Sequence, residues 1–419
     1  MKRFLRAHRY CVLVLAAAAL IGASIGVSPA YATDCSNVPA AVTVVEPGYL
    51  VVTPTGTSPD DRDALQYAVD CVEPGGTVAA GAGEHFYDDA DFVTINNSLT
   101  LQGTRKRGAA TVFVGGRTTI TVDANDHDVV LVDFTMRGPT LAGIQLLGGH
   151  HLLVLGIEIT DIIPDTIQTV IGEFVVGRGI WAHESILTTS DSPRFHGSIT
   201  ISDCDIRDFV FPSSENAPIA VEDFDQSTIP INIEDNSVGG TNVLFGIATT
   251  GLVTPTTWVV GNDVEATEAF GGLSVRLHPA GIPGEIHIED NKVTGGFLGM
   301  LWFLASAGGS TVHNNRISDS FIGIALHGSN GHDFDDNRIT DVVFGIRLGL
   351  QDVFPFGIAS LPSNGSTFSD IRVSGADYGL YVTEGATDNV FCDFSFKHVT
   401  VPIFEDAGTS SIFPCDDGN

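Results

Sequence analysis

A repeat of roughly two dozen residues runs through most of this chain. Each copy closes a first apolar segment with an Asn or Asp turn and opens a second, alternating segment with glycine. The equivalent asparagines follow one another at steps of 26, 29, 24 and 22 residues: Asn236, Asn262, Asn291, Asn315 and Asn337. The glycines that open the second segment are Gly246, Gly272, Gly299, Gly323 and Gly345.

Two short period-2 strands per repeat cannot bury their apolar faces alone. Stacking the repeats as coils buries those faces and lets the asparagines hydrogen-bond along the stack. The pattern therefore predicts an all-β chain, a right-handed parallel β-helix with about ten regular coils over residues 129–396. We expect a single domain over residues 33–419, with a C-terminal tail at 397–419.

The first residues have the pattern of a secretory signal. Four basic residues (Lys2, Arg3, Arg6 and Arg9) precede the apolar run 11–25, and Ala30-Tyr31-Ala32 fits a signal-peptidase site. We predict a signal peptide over residues 1–32 and a secreted product, extracellular or periplasmic.

The charge of the chain excludes two classes of partner. The formal net charge is −31, and removing the four basic residues of the signal takes it to −35. Such a surface repels nucleic acid and anionic membranes, so neither is an expected partner. A polyanionic glycan would need a local basic strip or metal ions. We expect the mature chain to be a monomer.

Five cysteines follow the signal, in a compartment that favours disulfides. Cys35 with Cys71 would fasten the N-terminal end, and Cys392 with Cys415 the C-terminal end. Cys204 stands where other copies have asparagine, which favours a buried structural thiol over a nucleophile.

A helix is predicted over residues 59–72. Ser58 offers a capping hydroxyl, Pro59 suits the first turn, and Asp60 and Asp61 lie at the positive end of the helix dipole. Apolar residues recur on one face until Pro74-Gly75-Gly76 ends the helix. An open β-helix end exposes strand edges, and this helix would cover it.

The stretch D-A-L-Q-Y-A-V-D-C-V-E-P-G-G-T-V at 63–78 resembles the cap helix and first strand of the pectin-lyase-like superfamily. L-T-L-Q-G at 99–103 is similar to an early coil of that group. The resemblance implies the fold, and it leaves the activity open among lyases, hydrolases, epimerases and non-catalytic proteins. The site motifs of polygalacturonases, pectate lyases and alginate epimerases (N-T-D, W-I-D-H and D-P-H-E) are missing from the sequence.

Four insertions, at 161–178, 184–197, 207–217 and 349–365, interrupt the repeat beside the glycine-started strand. Loops of this length often border a binding site, so a groove is predicted along that strand. Alternation turns every second side chain of the strand outward. His183 and His327 would then be the two ends of a column of six coils, roughly 24 Å long at strand spacing.

The outward residues supply candidates for glycan chemistry. Arginine can neutralise a uronate carboxylate, histidine and glutamate can transfer protons, and aromatic rings can stack on sugars. The candidate catalytic residues are Arg276, His327 and Arg347, with His183 and Glu222 in reserve. The candidate substrate-binding residues are Trp181, Phe303, Tyr381 and His278.

These residues favour a polysaccharide as partner and eliminative cleavage, as in a polysaccharide lyase. A glycoside hydrolase that uses Glu222 with Asp223 is one alternative. A non-catalytic extracellular repeat protein, with the same residues as ordinary surface, is another. No cofactor is certain from the sequence. Calcium stays open because Glu234, Glu289, His313 and Asp335 share an outward column, but no residue is assigned to a metal site.

Overall fold

The structure is a computed structural model that describes residues 35–412, except 47, 107, 170–171, 185–193, 214, 223, 225–226, 252–255, 267–269, 277–284, 306–309, 351–360 and 407–409. The predicted signal peptide and the end of the predicted tail lie outside these residues. No helix in the described part is long and apolar enough to cross a membrane. The described residues form two compact units, 35–232 and 233–412. The predicted single domain stays a prediction.

Three parallel sheets make up residues 233–412, one strand from each in every coil. The first sheet precedes the asparagine turn: Pro230–Glu234 (β18), Thr256–Val260 (β21), Ile286–Glu289 (β24), Thr311–His313 (β27), Asp333–Asp335 (β30), Thr367–Ser369 (β32), Thr387–Phe391 (β34) and Ser410–Ile412 (β36). The second sheet follows the turn: Ser237–Gly239 (β19), Asp263–Glu265 (β22), Lys292–Thr294 (β25), Arg316–Ser318 (β28) and the first halves of Arg338–Leu348 (β31), Arg372–Val382 (β33) and Ser395–Glu405 (β35). The third sheet holds the glycine-started strands: Phe245–Thr250 (β20), Gly271–Arg276 (β23), Leu298–Phe303 (β26), Ile322–His327 (β29) and the second halves of β31, β33 and β35.

Residues 35–232 repeat the same three-sheet plan. The first sheet contains Tyr49–Val52 (β2), Gly76–Ala80 (β3), Leu99–Gln102 (β6), Val129–Val132 (β9), the end of Ala142–Leu155 (β11) and Phe195–Ser202 (β15). The second contains Gly83–Tyr87 (β4), Thr111–Gly115 (β7), Thr135–Arg137 (β10), Glu158–Thr160 (β12) and Asp205–Arg207 (β16). The third contains Val93–Ile95 (β5), Thr118–Asp123 (β8), the start of β11, Gly172–His183 (β14) and Glu215–Glu222 (β17). Val42–Glu46 (β1) pairs antiparallel with β2, and Asp165–Thr169 (β13) forms a hairpin with β14 within the predicted insertion at 161–178.

The parallel register and the inward alternation confirm the predicted fold, a right-handed parallel β-helix. Inward residues of the third sheet, such as Leu273, Met300 and Ile324, are almost fully buried. Phe334 and Phe368 stack with ring centroids 4.7 Å apart on neighbouring coils. Apolar side chains from all three sheets therefore fill one continuous interior in the unit at 233–412.

The asparagine column forms a hydrogen-bonded ladder. Asn236, Asn262 and Asn291 each donate their side-chain amide to the side-chain oxygen of the next asparagine, at 2.9, 2.9 and 3.0 Å in that order. The same oxygens accept the backbone N–H of the preceding asparagine. The residue before several of these asparagines has a left-handed φ, for example 56° at Asp290. The sharp turn thus aims a buried amide along the stack.

The glycine column has a steric cause. A Cβ on Gly299 would lie 2.4 Å from Ile317 Cγ2 and 2.7 Å from the carbonyl oxygen of Gly323. Gly272 would meet Val293 and the carbonyl of Gly299 in the same way, at 2.3 and 2.7 Å. The second and third sheets therefore approach so closely at this corner that no side chain fits there.

The predicted cap helix is present over Asp60–Cys71 (α1). Its apolar face is buried, and Cys35 is disulfide-bonded to Cys71 as predicted. The predicted capping role of Ser58 is wrong, because its hydroxyl donates to Asp91 Oδ2 at 2.7 Å and no side chain caps the helix. Buried Asp61 instead accepts hydrogen bonds from Thr55 and from the Phe86 N–H, at 2.9 Å for the latter.

The remaining cysteines agree with the predictions as far as they are described. Cys392 is disulfide-bonded; its predicted partner, Cys415, lies outside the described residues. Cys204 is buried, and its thiol donates to the carbonyl of Ser202 at 3.3 Å. Burial raises the pKa of Cys204 to about 12, so this thiol is a poor nucleophile.

We predict that Asn315→Ala will lower the free energy of unfolding by about 2–4 kcal/mol, because it leaves buried partners above and below without hydrogen bonds. The measurement is the denaturation midpoint in urea. The control is Lys292→Ala, which removes only an exposed ion pair with Asp263 and should cost less than about 1 kcal/mol. Equal losses in the two variants would contradict a structural role for the ladder.

Gly299→Ala should destabilise the chain by about 1–3 kcal/mol or more, because the added methyl group overlaps backbone as well as Ile317. Thermal unfolding would report the loss. Gly48→Ala is the matched control, since its nearest neighbour would be Glu73 Oε2 at 4.0 Å. Equal melting temperatures for Gly299→Ala and Gly48→Ala would refute the steric explanation of the repeat.

Candidate functional site

The candidate residues lie on the outward side of the third sheet, and the strand register aligns them. In residues 233–412, Arg276 pairs with Phe303 and Phe303 with His327 on successive coils. Arg347 pairs with Tyr381 on the coils that follow. In residues 35–232, Trp181 is aligned with Ala220 and His183 with Glu222. Predicted columns thus exist within each unit, while the catalytic and binding roles stay predictions.

The outward face is not the ordinary solvated surface that the non-catalytic alternative assumed. His327 has an exposed fraction of 0%, Arg347 2% and Arg276 4%, and Trp181 is equally buried. Phe303 and Tyr381 keep partial exposure. Alternation fixes the direction in which a side chain points, but it does not reveal what packs over that side. His278 and Asp223 lie outside the described residues.

Arginines and rings pack together in residues 233–412. We call Arg276, Phe303, His327, Arg347 and Tyr381 the basic–aromatic cluster. The Arg276 guanidinium carbon lies 4.5 Å from the centroid of the Phe245 ring, and that of Arg347 lies 4.5 Å from the Tyr381 ring. Phe303 stacks on His327 with centroids 5.4 Å apart and planes 13° apart. Cation–π and stacking contacts hold the charged groups in fixed positions.

His327 has one satisfied ring nitrogen. Its Nδ1 accepts the Leu350 N–H at 3.2 Å, while its Nε2 is buried and meets no hydrogen-bond partner among the described residues. Burial lowers the pKa of His327 to about 4, so the ring is neutral at pH 7. A neutral ring that accepts at Nδ1 carries its proton on Nε2. His327 therefore presents an N–H donor, and the sequence-based suggestion of a base there needs correction.

Arg347 lies beside the same short segment as His327. Its Nε donates to the carbonyl of Gly349 at 3.1 Å, and Leu350 is the next residue. The predicted insertion at 349–365 begins at this point. The backbone of Gly349 and Leu350 thus positions both a guanidinium and an imidazole.

A second cluster occupies residues 35–232. The Glu222 carboxylate accepts from Trp181 Nε1 at 2.8 Å and from Arg178 Nη2 at 3.1 Å. His183 stacks on Trp181 with centroids 4.2 Å apart, and its Nε2 lies 2.9 Å from Gln145 Nε2. Because the glutamine amide donates, this ring nitrogen is unprotonated. Burial lowers the pKa of His183 to about 4.

Arg178 was missed in the sequence. It is almost fully buried and also lies 3.6 Å from Glu215, so one guanidinium serves two carboxylates. The aligned positions on the neighbouring coils are Ala142 and Ala217. An arginine in a column of alanines was the signal that could have identified it. The carboxylates of Glu215 and Glu222 thus face the Arg178 guanidinium, and Glu222 also accepts from the Trp181 indole. This arrangement is typical of a fixed internal ion pair.

The column for which calcium was left open is seen in part. Glu289, His313 and Asp335 are aligned on successive first-sheet strands, and His313 Nδ1 lies 3.1 Å from Asp335 Oδ2. An exposed side-chain pair explains this contact without a metal. No residue of the column is assigned to a metal site.

No protein-family model and no curated protein sequence matches the chain. Among solved structures, it is similar to the A-module of the mannuronan C-5 epimerase AlgE4 from Azotobacter vinelandii, with a TM-score of 0.60 and 16% identity over 85% of this chain and 97% of that one. The AlgE6 A-module from the same organism gives a TM-score of 0.55 and 17% identity over 86% and 97% of the two chains. At these identities the likeness confirms the β-helix fold implied by the pectin-lyase-like resemblance.

The buried histidines predict a dependence of stability on pH. His327 has a pKa of about 4 when folded and 6.5 as its ordinary value, so the unfolded chain binds more protons between these pH values. Stability should therefore fall as pH drops from 6.5 towards 4. His327→Gln should weaken this dependence, measured as the difference in the free energy of unfolding between pH 7 and pH 4.5. The same difference in both proteins would contradict a buried neutral His327.

Proposed function

We propose that this chain is a secreted protein that binds an extended, uronate-containing polysaccharide along the third sheet of residues 233–412 and cleaves it by β-elimination. The basic–aromatic cluster carries the proposal. It places two arginines, a neutral histidine with an unsatisfied N–H and two partly exposed rings on one face of one sheet. The secretory signal and the Cys35–Cys71 disulfide support export, and we propose that the exported chain acts as a monomer.

The charge of the cluster suits a polyanion. The chain as a whole has a formal net charge of −31, so a uronate polymer would be repelled unless a local cationic site received it. Arg276 and Arg347 supply that site. They lie three coils apart, roughly 14 Å at strand spacing, which would let them engage different carboxylates of one extended chain. Phe303 and Tyr381 supply faces for sugar rings.

The chemistry follows from the donors that the cluster presents. A water molecule would take the proton next to a uronate carboxylate, and the electron pair left behind places negative charge on that carboxylate. Arg347 and the Nε2–H of His327 would stabilise this charge as fixed donors; because both side chains are buried, the groups that cover them must move aside to admit the carboxylate. The electron pair then forms a carbon–carbon double bond while the bond to the glycosidic oxygen breaks, and that oxygen leaves with a proton from water. The polymer is cut and an unsaturated sugar remains.

A second candidate function is C-5 epimerisation. It begins with the same proton removal and ends with return of a proton to the opposite face of the ring. The two similar structures are modules of mannuronan C-5 epimerases, which favours this alternative over hydrolysis. Hydrolysis requires a pair of available carboxyl groups, whereas Glu222 is engaged by Arg178 and Trp181.

The test incubates the mature protein with mannuronate-, guluronate- and galacturonate-rich polymers in D₂O. Ultraviolet absorbance reports unsaturated ends, a colorimetric assay reports reducing ends, and NMR reports deuterium at C5. We expect absorbance and reducing ends to rise together on one uronate polymer. Deuterium at C5 without chain cleavage would show that the reaction is epimerisation and not elimination.

Conservative variants test whether the activity depends on the basic–aromatic cluster. His327→Gln and Arg347→Lys should each reduce kcat/KM by at least about 100-fold, the scale for loss of a charge-stabilising donor. The matched control is Arg316→Lys, an exposed arginine of the second sheet, which should keep full activity. Melting temperatures must show that each variant is folded, because both cluster residues are buried. Reducing ends without absorbance, silence on every polymer, or full activity in both folded cluster variants would refute the proposal.

A further inference from the structure

An imidazole–carboxylate group lies beside the first sheet of residues 35–232. Asp128 precedes β9, and His150 and His151 lie in β11 on the next coil. One potential ligand atom from each of the three lies within 4.8 Å of the others. The carboxylate of Asp128 and the ring of His150 are open to solvent, with side-chain exposed fractions of 60% and 42%.

The rings of His150 and His151 lie together although the two residues are adjacent in sequence. Adjacent residues in a regular strand point to opposite faces. The pairing is irregular at this point, because two steps along β11, Gly149 to His151, match three steps along β15, Phe195 to Ser198. The two ring centroids lie 4.1 Å apart at this irregularity. Irregular strand pairings, as in β-bulges, often re-aim side chains at functional sites.

Space for the rings depends on a glycine in the neighbouring strand. A Cβ on Gly197 would lie 2.7 Å from His151 Nδ1 and 2.3 Å from the carbonyl oxygen of His150. Any other residue at this position would displace the His150 backbone or the His151 ring. The glycine therefore leaves room for the two imidazoles.

Hydrogen bonds already orient the three side chains. Asp128 Oδ1 accepts from the His151 N–H at 3.2 Å and lies 2.9 Å from His150 Nδ1. The interaction with His150 holds the pKa of Asp128 below its usual range. His151 Nδ1 lies 2.9 Å from the Ser198 hydroxyl, which leaves its Nε2 as the available nitrogen. Among the described residues no hydrogen bond reaches Asp128 Oδ2.

We propose that Asp128, His150 and His151 form a binding site for a divalent transition metal of the zinc class. Two imidazoles and one carboxylate are a ligand set that zinc uses in open sites, where water completes the tetrahedron. Zinc–nitrogen bonds of about 2.0–2.1 Å require the donor atoms to close in by roughly 1 Å, a movement within reach of solvent-exposed side chains. Ser198 would act as the outer partner that fixes the His151 ring.

The bound metal would join two coils and, through Ser198, a third. A metal that binds only the folded chain stabilises it by mass action. The site therefore offers metal-dependent stabilisation of the residues 35–232, and it does not rest on the proposed polysaccharide activity. Nearby groups that could contribute further ligands are Asp126, His127 and His196, of which His196 Nε2 lies 3.3 Å from Asp126 Oδ1.

The experiment uses the mature chain without a histidine tag. Isothermal titration calorimetry with zinc chloride measures the affinity and stoichiometry, and Co²⁺ substitution reports the coordination number by its visible spectrum. His151→Gln and Asp128→Asn should each weaken zinc binding by more than about 10-fold, and Ser198→Ala by about 10-fold, the scale for an outer partner. Zinc should raise the melting temperature of the wild type and not that of the ligand variants.

The matched control is His313→Gln. His313 forms an exposed pair with Asp335 at 3.1 Å, and the described residues place no second histidine beside it in a ligand group. This variant should bind zinc like the wild type. Absence of a one-to-one zinc complex in the wild type, or equal weakening in His313→Gln and His151→Gln, would overturn the proposal.

Discussion

The close stacking of successive coils is the constraint on which the rest of the structure depends. Strands of neighbouring coils lie about 4.8 Å apart, so every position in a coil meets its own equivalent above and below. A residue type can recur along a column only if it can pair with copies of itself. Asparagine satisfies this condition by hydrogen bonds, phenylalanine by stacking, and glycine by having no side chain. The repeat visible in the sequence is the direct consequence.

This constraint explains how much could be predicted. The asparagine and glycine columns, the inward alternation, the cap helix and the Cys35–Cys71 disulfide could all be recognised from the sequence, because each depends on local spacing or on self-pairing along the stack. The capping role of Ser58 could not be judged in this way. Its hydroxyl is bound by Asp91, which is distant in sequence.

The site was harder to predict because its character depends on packing across the outward face. The repeat correctly aligned Arg276, Phe303 and His327, but it could not show that Arg276 and His327 are buried or that His327 accepts the Leu350 N–H. The pair His150 and His151 gave no signal at all. A strictly alternating strand would separate the two rings, and the sequence does not reveal the irregular pairing of β11 with β15 at which they meet.

Burial also changes the chemistry expected of the histidines. A solvated histidine near neutral pH exchanges protons readily, whereas the neutral ring of His327 offers a fixed N–H. The most direct test of the account is a crystal structure of the protein with a bound uronate oligosaccharide. The account predicts a carboxylate within hydrogen-bond distance of His327 Nε2 and the Arg347 guanidinium. An oligosaccharide bound to another face, with the basic–aromatic cluster unchanged, would contradict it.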